Sequence, residues 1–175
     1  MVTTPYLGCD GVIVSGSGYS AANKLYLMPA PGLVVPPVPA APTDAEAAAA
    51  VQLLVDDLYG DFPFVHQGDR AHQVGLTLLP FLRCIDGTTP LHVAGAPEAG
   101  TGKGLLCDAV ATIATGAAMP WRALPPREEE RVKAIFSALR AGTPFVAFDN
   151  AKGEVEGPAL ESALTSRIVS SRVLG

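Results

Sequence analysis

Apolar residues recur along this chain with two periods, and the change of period marks out its elements. Gly11–Ser15 and Lys24–Met28 are short β-rich pieces, separated by Gly16-Ser17-Gly18-Tyr19-Ser20, which reads as a hairpin-like or looped connection. Pro29 to Pro42 carries six prolines among alanines and valines, a composition that disfavours helix and predicts an extended connector. The period then becomes helical. Thr43-Asp44-Ala45-Glu46 has the spacing of a capping box, and Val51, Leu54, Val55 and Leu58 supply one apolar face of a helix running through Leu58. Asp61-Phe62-Pro63-Phe64 interrupts the pattern, and Asp69 is placed to cap a second helix over Arg70–Leu82.

Leu91–Ala94 is a short apolar run expected to form a strand. It leads through a glycine-rich loop into a helix in which Leu105, Leu106, Ala109, Val110 and Ile113 recur and Gly116 closes the C-terminal end. Ala117–Pro126 holds Trp121 between prolines and accommodates a short edge strand. Arg127-Glu128-Glu129-Glu130-Arg131 opens a further helix, its acids facing the positive end of the macrodipole as a solvated start, and Gly142 ends it. Pro144–Phe148 is a continuous apolar run, expected to be a strand buried on both faces. A helix around Ala159–Leu164 and a strand-like piece at Arg167–Leu174 follow. Strands alternating with helices in this way predict an α/β fold.

Composition narrows the class. The chain has 175 residues, 49% of them hydrophobic, which is enough for one main domain with a proper core. A net charge of −5 disfavours broad, sequence-independent binding of nucleic acid by the isolated chain. Cys9, Cys84 and Cys107 are odd in number and lack C-x-x-C spacing, pointing away from a disulfide framework and a zinc site and towards a reducing cytoplasm. His66, His72 and His92 show no ligand spacing and read as surface or cap residues. Neither a signal peptide nor a membrane-spanning apolar stretch is expected.

The candidate chemistry lies in the glycine loop, Ala94-Gly95-Ala96-Pro97-Glu98-Ala99-Gly100-Thr101-Gly102-Lys103-Gly104. A loop that cradles a polyphosphate needs small residues, so that successive backbone N–H groups turn inward. It also needs a lysine for the outer phosphates and a helix N-terminus facing the negative charge. Gly100, Gly102 and Lys103 meet these needs. Counted back from Gly102, the usual first glycine falls on Pro97, with Gly95 two residues early. Gly104 stands where a serine or threonine hydroxyl normally binds magnesium. The second candidate is Asp149, 46 residues after Lys103 at the carboxyl end of the Pro144–Phe148 run, the ligand-binding edge of a parallel sheet.

Taken in order, several segments resemble one family: Asp61–Phe64, Ala96–Leu106, Ile113–Gly116, Phe145–Asn150, Ala163–Thr165 and Arg172–Gly175. The family is the P-loop ATPase domains of phage, plasmid and integrated-element primase-helicase replication proteins, similar to AAA+ or superfamily 3 helicases, and the resemblance covers about residues 44–175. It implies a P-loop NTPase with a mostly parallel sheet and flanking helices, preceded by a small β-hairpin region. The expected division is a β-rich region at 1–28, a linker at 29–42 and the ATPase domain at 43–175. The chain is expected to hold that domain only in part, since no sensor strand or lid helices follow Asp149.

By the same resemblance, Ala99, Gly100, Thr101, Gly102, Lys103, Gly104 and Leu105 would bind ATP, with the lysine catalytic, and Asp149 would hold Mg2+. Asn150 stands where such ATPases often carry a glutamate. An asparagine can orient water but cannot take its proton, so turnover by the isolated chain is expected to be weak or absent, with Glu154 and Glu156 as substitutes on the following loop. Arg172 or Arg167 would act as an arginine finger across a homo-oligomeric ring, and the complete protein would couple ATP hydrolysis to DNA unwinding in the cytoplasm. Two other readings share the loop: a nucleotide or small-molecule kinase, and an interaction module that keeps the fold without catalysis.

Overall fold

A computed structural model of the chain describes residues 1–36, 38–39, 41–82, 88–98, 100–151, 155–166 and 168–170. Among these residues the fold is α/β, with five α-helices and three two-stranded sheets. The chain divides into two compact units, Met1–Ile85 with Ala94–Ala117, and Asp86–Val93 with Ala118–Gly175.

The first unit begins with two antiparallel hairpins, β1 (Tyr6–Leu7) with β2 (Ile13–Val14) and β3 (Gly18–Ser20) with β4 (Leu25–Leu27). Three of the five residues expected to form a connection are therefore themselves a strand. Gly18–Ser20 pairs with Leu25–Leu27 in register, and Lys24 adopts a left-handed backbone (φ 54°) at the turn. Val2 joins the second hairpin through bonds to Tyr26 O and from Met28 N, both 2.9 Å. Val2, Tyr6 and Leu27 form a small buried cluster, with Val14 and Leu25 packed against it.

Helix α1 (Asp44–Gln52) buries none of its residues. Its alanine-rich sequence favours helix intrinsically, and the expected capping box closes its N-terminus. Glu46 accepts from Thr43 N at 2.8 Å, and Glu46 N donates to Thr43 Oγ1 at 3.3 Å. Of the expected apolar face, Val51 and Leu58 are exposed while Leu54 and Val55 are half-buried. The helix widens into a π turn over Leu53–Leu58, closed by Tyr59 N bonding Leu54 O at 3.1 Å. Gly60 follows of necessity, because a Cβ there would overlap the Asp56 carbonyl oxygen.

Helix α2 (Gln67–Leu78) starts three residues earlier than expected and runs into a 3-10 turn at Leu79–Phe81. Asp69 serves its N-terminus from inside the first turn, accepting the His66 N–H at 3.0 Å. Helix α3 (Lys103–Thr115) buries Val110, Ala111 and Ala114, while Leu105 and Ile113 of the expected stripe are exposed. Its last turn is satisfied twice over. Gly116 takes the left-handed conformation (φ 76°) predicted for it, and the hydroxyls of Thr3 and Thr4 donate to Thr115 O at 3.0 Å and Ala114 O at 2.5 Å.

In the second unit, β5 (Trp121–Ala123) and β6 (Ala147–Asp149) pair in parallel through the crossover helix α4 (Glu128–Arg140), and α5 (Pro158–Thr165) follows. Ile135, Ala159 and Leu160 form its core, with Val132, Phe148 and Ala163 against them. The strand expected at Pro144–Phe148 starts three residues later and ends one residue later, and it is only half-buried, because a two-stranded ladder leaves its neighbours uncovered. Leu91–Ala94 forms no β-strand. Leu91 and Val93 are exposed, and an apolar run becomes a strand only where a sheet edge receives it. Among the described residues, parallel pairing is confined to β5 and β6.

The charge run at the start of α4 does more than meet solvent. Glu128 accepts the Ala159 N–H at 2.6 Å, capping α5 from a distance. Arg131 donates to Pro125 O and Glu156 O, both at 2.7 Å. Gly157 (φ 130°) permits this approach, since a Cβ there would lie 2.6 Å from Glu128 Oε2.

Candidate functional site at the glycine loop

The loop's shape comes from two glycines. Gly100 (φ 80°) and Gly102 (φ 87°) both adopt the left-handed conformation, one on either side of Thr101, whose hydroxyl donates to Glu98 O at 3.3 Å. Alternation of this kind makes a concavity of backbone amides. Lys103 is the first residue of α3 and half-buried. The first bond of the helix runs from Leu106 N to Gly102 O at 3.0 Å, so the N–H groups of Lys103, Gly104 and Leu105 precede the intrahelical ladder. These donors, the positive end of a 13-residue helix and one ammonium group suit an anion. A Cβ at Gly104 would meet nothing within 4 Å, so the fold leaves room for the hydroxyl residue that this position lacks.

Gly100, Thr101, Gly102, Lys103, Gly104 and Leu105 follow one another from the loop into the first turn of α3; Ala99 lies outside the described residues. Leu105 is 65% exposed and presents its side chain to solvent. Behind the loop sits a set of side chains that motif reading alone does not single out. A Cβ at Gly102 would lie 3.6 Å from Phe62 Cε1, placing the Asp61–Phe64 segment beside the loop. Phe62 meets Tyr59 edge-on (centroids 6.2 Å) and Phe64 (6.3 Å), and the Arg70 guanidinium lies 5.8 Å over the Phe64 ring. Gln73 Nε2 donates to Leu106 O at 3.4 Å. The sequence signal for this packing was the break in helical pattern at Asp61-Phe62-Pro63-Phe64, three apolar residues concentrated in a turn.

Asp149 and Asn150 belong to the other unit. Asp149 ends β6 and is exposed, as a carboxyl-end acid is expected to be. Asn150 takes a left-handed backbone (φ 54°) and bonds Asp149 twice, from its N–H to Oδ1 at 2.7 Å and from Nδ2 to Oδ2 at 3.1 Å. Each carboxylate oxygen keeps acceptor capacity beyond the bond it accepts, so the acid remains chemically suited to a cation. Of the other candidates, Glu156 is exposed, while Glu154, Arg167 and Arg172 lie outside the described residues. Burial, with a smaller contribution from Asp108, pushes the Cys107 thiol above its ordinary pKa. No helix among the described residues is long and apolar enough to cross a membrane.

Comparison of the chain with protein-family models, with curated proteins and with solved structures gives no match.

Proposed function

We propose that the chain holds the ATP-binding domain of a replication ATPase of a mobile element, of the P-loop class with a mostly parallel sheet, which serves DNA unwinding in a ring. The observation that carries this reading is the pair of left-handed glycines around Thr101 immediately before Lys103 at the head of α3. Such a loop is built for phosphate oxygens: backbone amides bind them, and the lysine neutralises the charge. In this reading Asp149 would be the residue that holds Mg2+, which would supply positive charge to stabilise the charge developing on the phosphates. Gly104 offers no hydroxyl, and Asn150 offers no base, so hydrolysis by this chain alone is slow in this reading.

Those same two residues favour the second reading, an interaction module that retains the loop without turnover. Calorimetric titration with ATP and Mg2+ separates the two. Binding at sub-millimolar ligand, weakened about tenfold or more in Lys103→Ala by loss of a charge-assisted contact, supports the nucleotide reading. No heat of binding at millimolar ATP leaves only the module. Rapid hydrolysis by the monomer, lost in Lys103→Ala, would contradict the slow turnover expected from Gly104 and Asn150.

A further inference from the structure

Two routes run from one buried residue to the glycine loop. Tyr59 is fully buried at the end of the π turn, and its hydroxyl lies 2.7 Å from Thr77 Oγ1. The Thr77 hydroxyl has a single proton, which it donates to Gln73 O at 2.8 Å, so Tyr59 is the donor in the first contact. Gln73, one turn earlier on the same face of α2 and also buried, donates from Nε2 to Leu106 O at 3.4 Å. That is the polar route. The aromatic route passes from the Tyr59 ring to Phe62, whose Cε1 fills the space beside Gly102 and would lie 3.6 Å from a Cβ placed there. The two routes arrive at opposite ends of the Gly102–Leu106 segment, whose own closing bond is Leu106 N to Gly102 O.

We infer that Phe62 and Gln73 are positioning residues for the glycine loop. Phe62 holds the hinge at Gly102, Gln73 holds the first-turn carbonyl of Leu106, and Tyr59 ties both to α2. This inference rests on the nucleotide reading above and deepens it, because neither residue touches the phosphates. Between the two supports lie the amides of Lys103, Gly104 and Leu105, the groups that must keep their direction for an anion to find them preorganised. A polar pair on the buried face of a helix is costly unless its bonds are made, and here every step of the chain is satisfied. A π turn ending at the shared support fits a local deformation retained for function.

The test uses the whole chain with Gln73→Met, which keeps length but cannot donate, and Phe62→Leu, which keeps an apolar side chain but removes the ring. Phe62→Tyr is the conservative control. Titration with ATP and Mg2+ is read beside the thermal midpoint and amide exchange over Gly102–Leu106. The first two variants are expected to bind ATP about fivefold to tenfold more weakly. They should also exchange faster at the loop without ATP, with far-ultraviolet dichroism unchanged, and Phe62→Tyr should stay within about twofold of the unaltered protein. If both variants bind ATP like the unaltered protein while Lys103→Ala does not, the positioning role is wrong and the nucleotide reading stands. Affinity that falls only in step with the unfolded fraction reduces both residues to ordinary packing and overturns the role. If the unaltered protein binds no ATP, the nucleotide reading fails and this inference fails with it.

Discussion

The two units hold their candidate residues by different means. Lys103 stands at the head of a helix whose first turn is braced by side chains from about 30 to 40 positions earlier, Phe62 at the hinge and Gln73 on the Leu106 carbonyl. Asp149 stands at the end of a two-stranded ladder and is held by its immediate neighbour, Asn150, through two short-range bonds. A group positioned by tertiary contacts depends on remote substitutions. One positioned by its own backbone is sensitive mainly to what happens next to it. The charged residues show the same contrast in reverse. The first unit caps α1 locally with Thr43 and Glu46, whereas the second caps α5 with Glu128, 31 positions away.

The largest test of this contrast is Gly60→Ala. A Cβ there overlaps the Asp56 carbonyl oxygen, so the π turn that seats Tyr59 must shift, at a cost of about 3 kcal/mol by chemical denaturation, with faster amide exchange along α2. A loss below about 1 kcal/mol would mean that the turn is not rigid. Next is Tyr59→Phe, which deletes the donor to buried Thr77 and should cost about 1–2 kcal/mol, with exchange accelerated at Thr77 and Leu106. Unchanged exchange at Leu106 would break the remote-brace side of the comparison.

Glu128→Gln tests the second unit. The amide still accepts from Ala159, but the charge at the helix N-terminus is gone, so about 0.5–1 kcal/mol is expected, read as fraying of α5. The smallest effect is local. Hydrogen bonds from the Thr43 N–H and hydroxyl hold the Glu46 carboxyl below its ordinary pKa. Its contribution is therefore present above the unfolded-state pKa and is lost as pH falls through the lower, folded-state value. Amide exchange at Glu46 should accelerate only as pH drops below the ordinary glutamate range, after correction for intrinsic rates, with nothing comparable at Leu106.

Features that depend on adjacent residues were legible before any coordinates. The capping box at Thr43, the left-handed glycine at Gly116, the helix from Glu128 closed at Gly142, the short strand at Trp121 and the acid ending a strand at Asp149 all follow from residues within a few positions of one another. Pairing was not legible in the same way. Gly18–Ser20 reads as a turn until Leu25–Leu27 lies beside it, and Leu91–Ala94 reads as a strand although it forms none among the described residues. A ladder is a property of two segments, and apolar periodicity in one cannot say whether the other is present.

The candidate site divides along the same line. Glycines flanking Thr101, a lysine after them and a helix behind are enough, as sequence, to define a loop of amides with a positive charge, because φ freedom and helix polarity are properties of the residues themselves. What only the tertiary structure decided is which side chains stand behind that loop. Tyr59, Phe62 and Gln73 carry no phosphate-binding pattern, and they matter because packing sets a ring against Gly102 and an amide against the Leu106 carbonyl. Local conformation is encoded residue by residue, whereas buried partners are chosen by the surfaces that folding brings into contact.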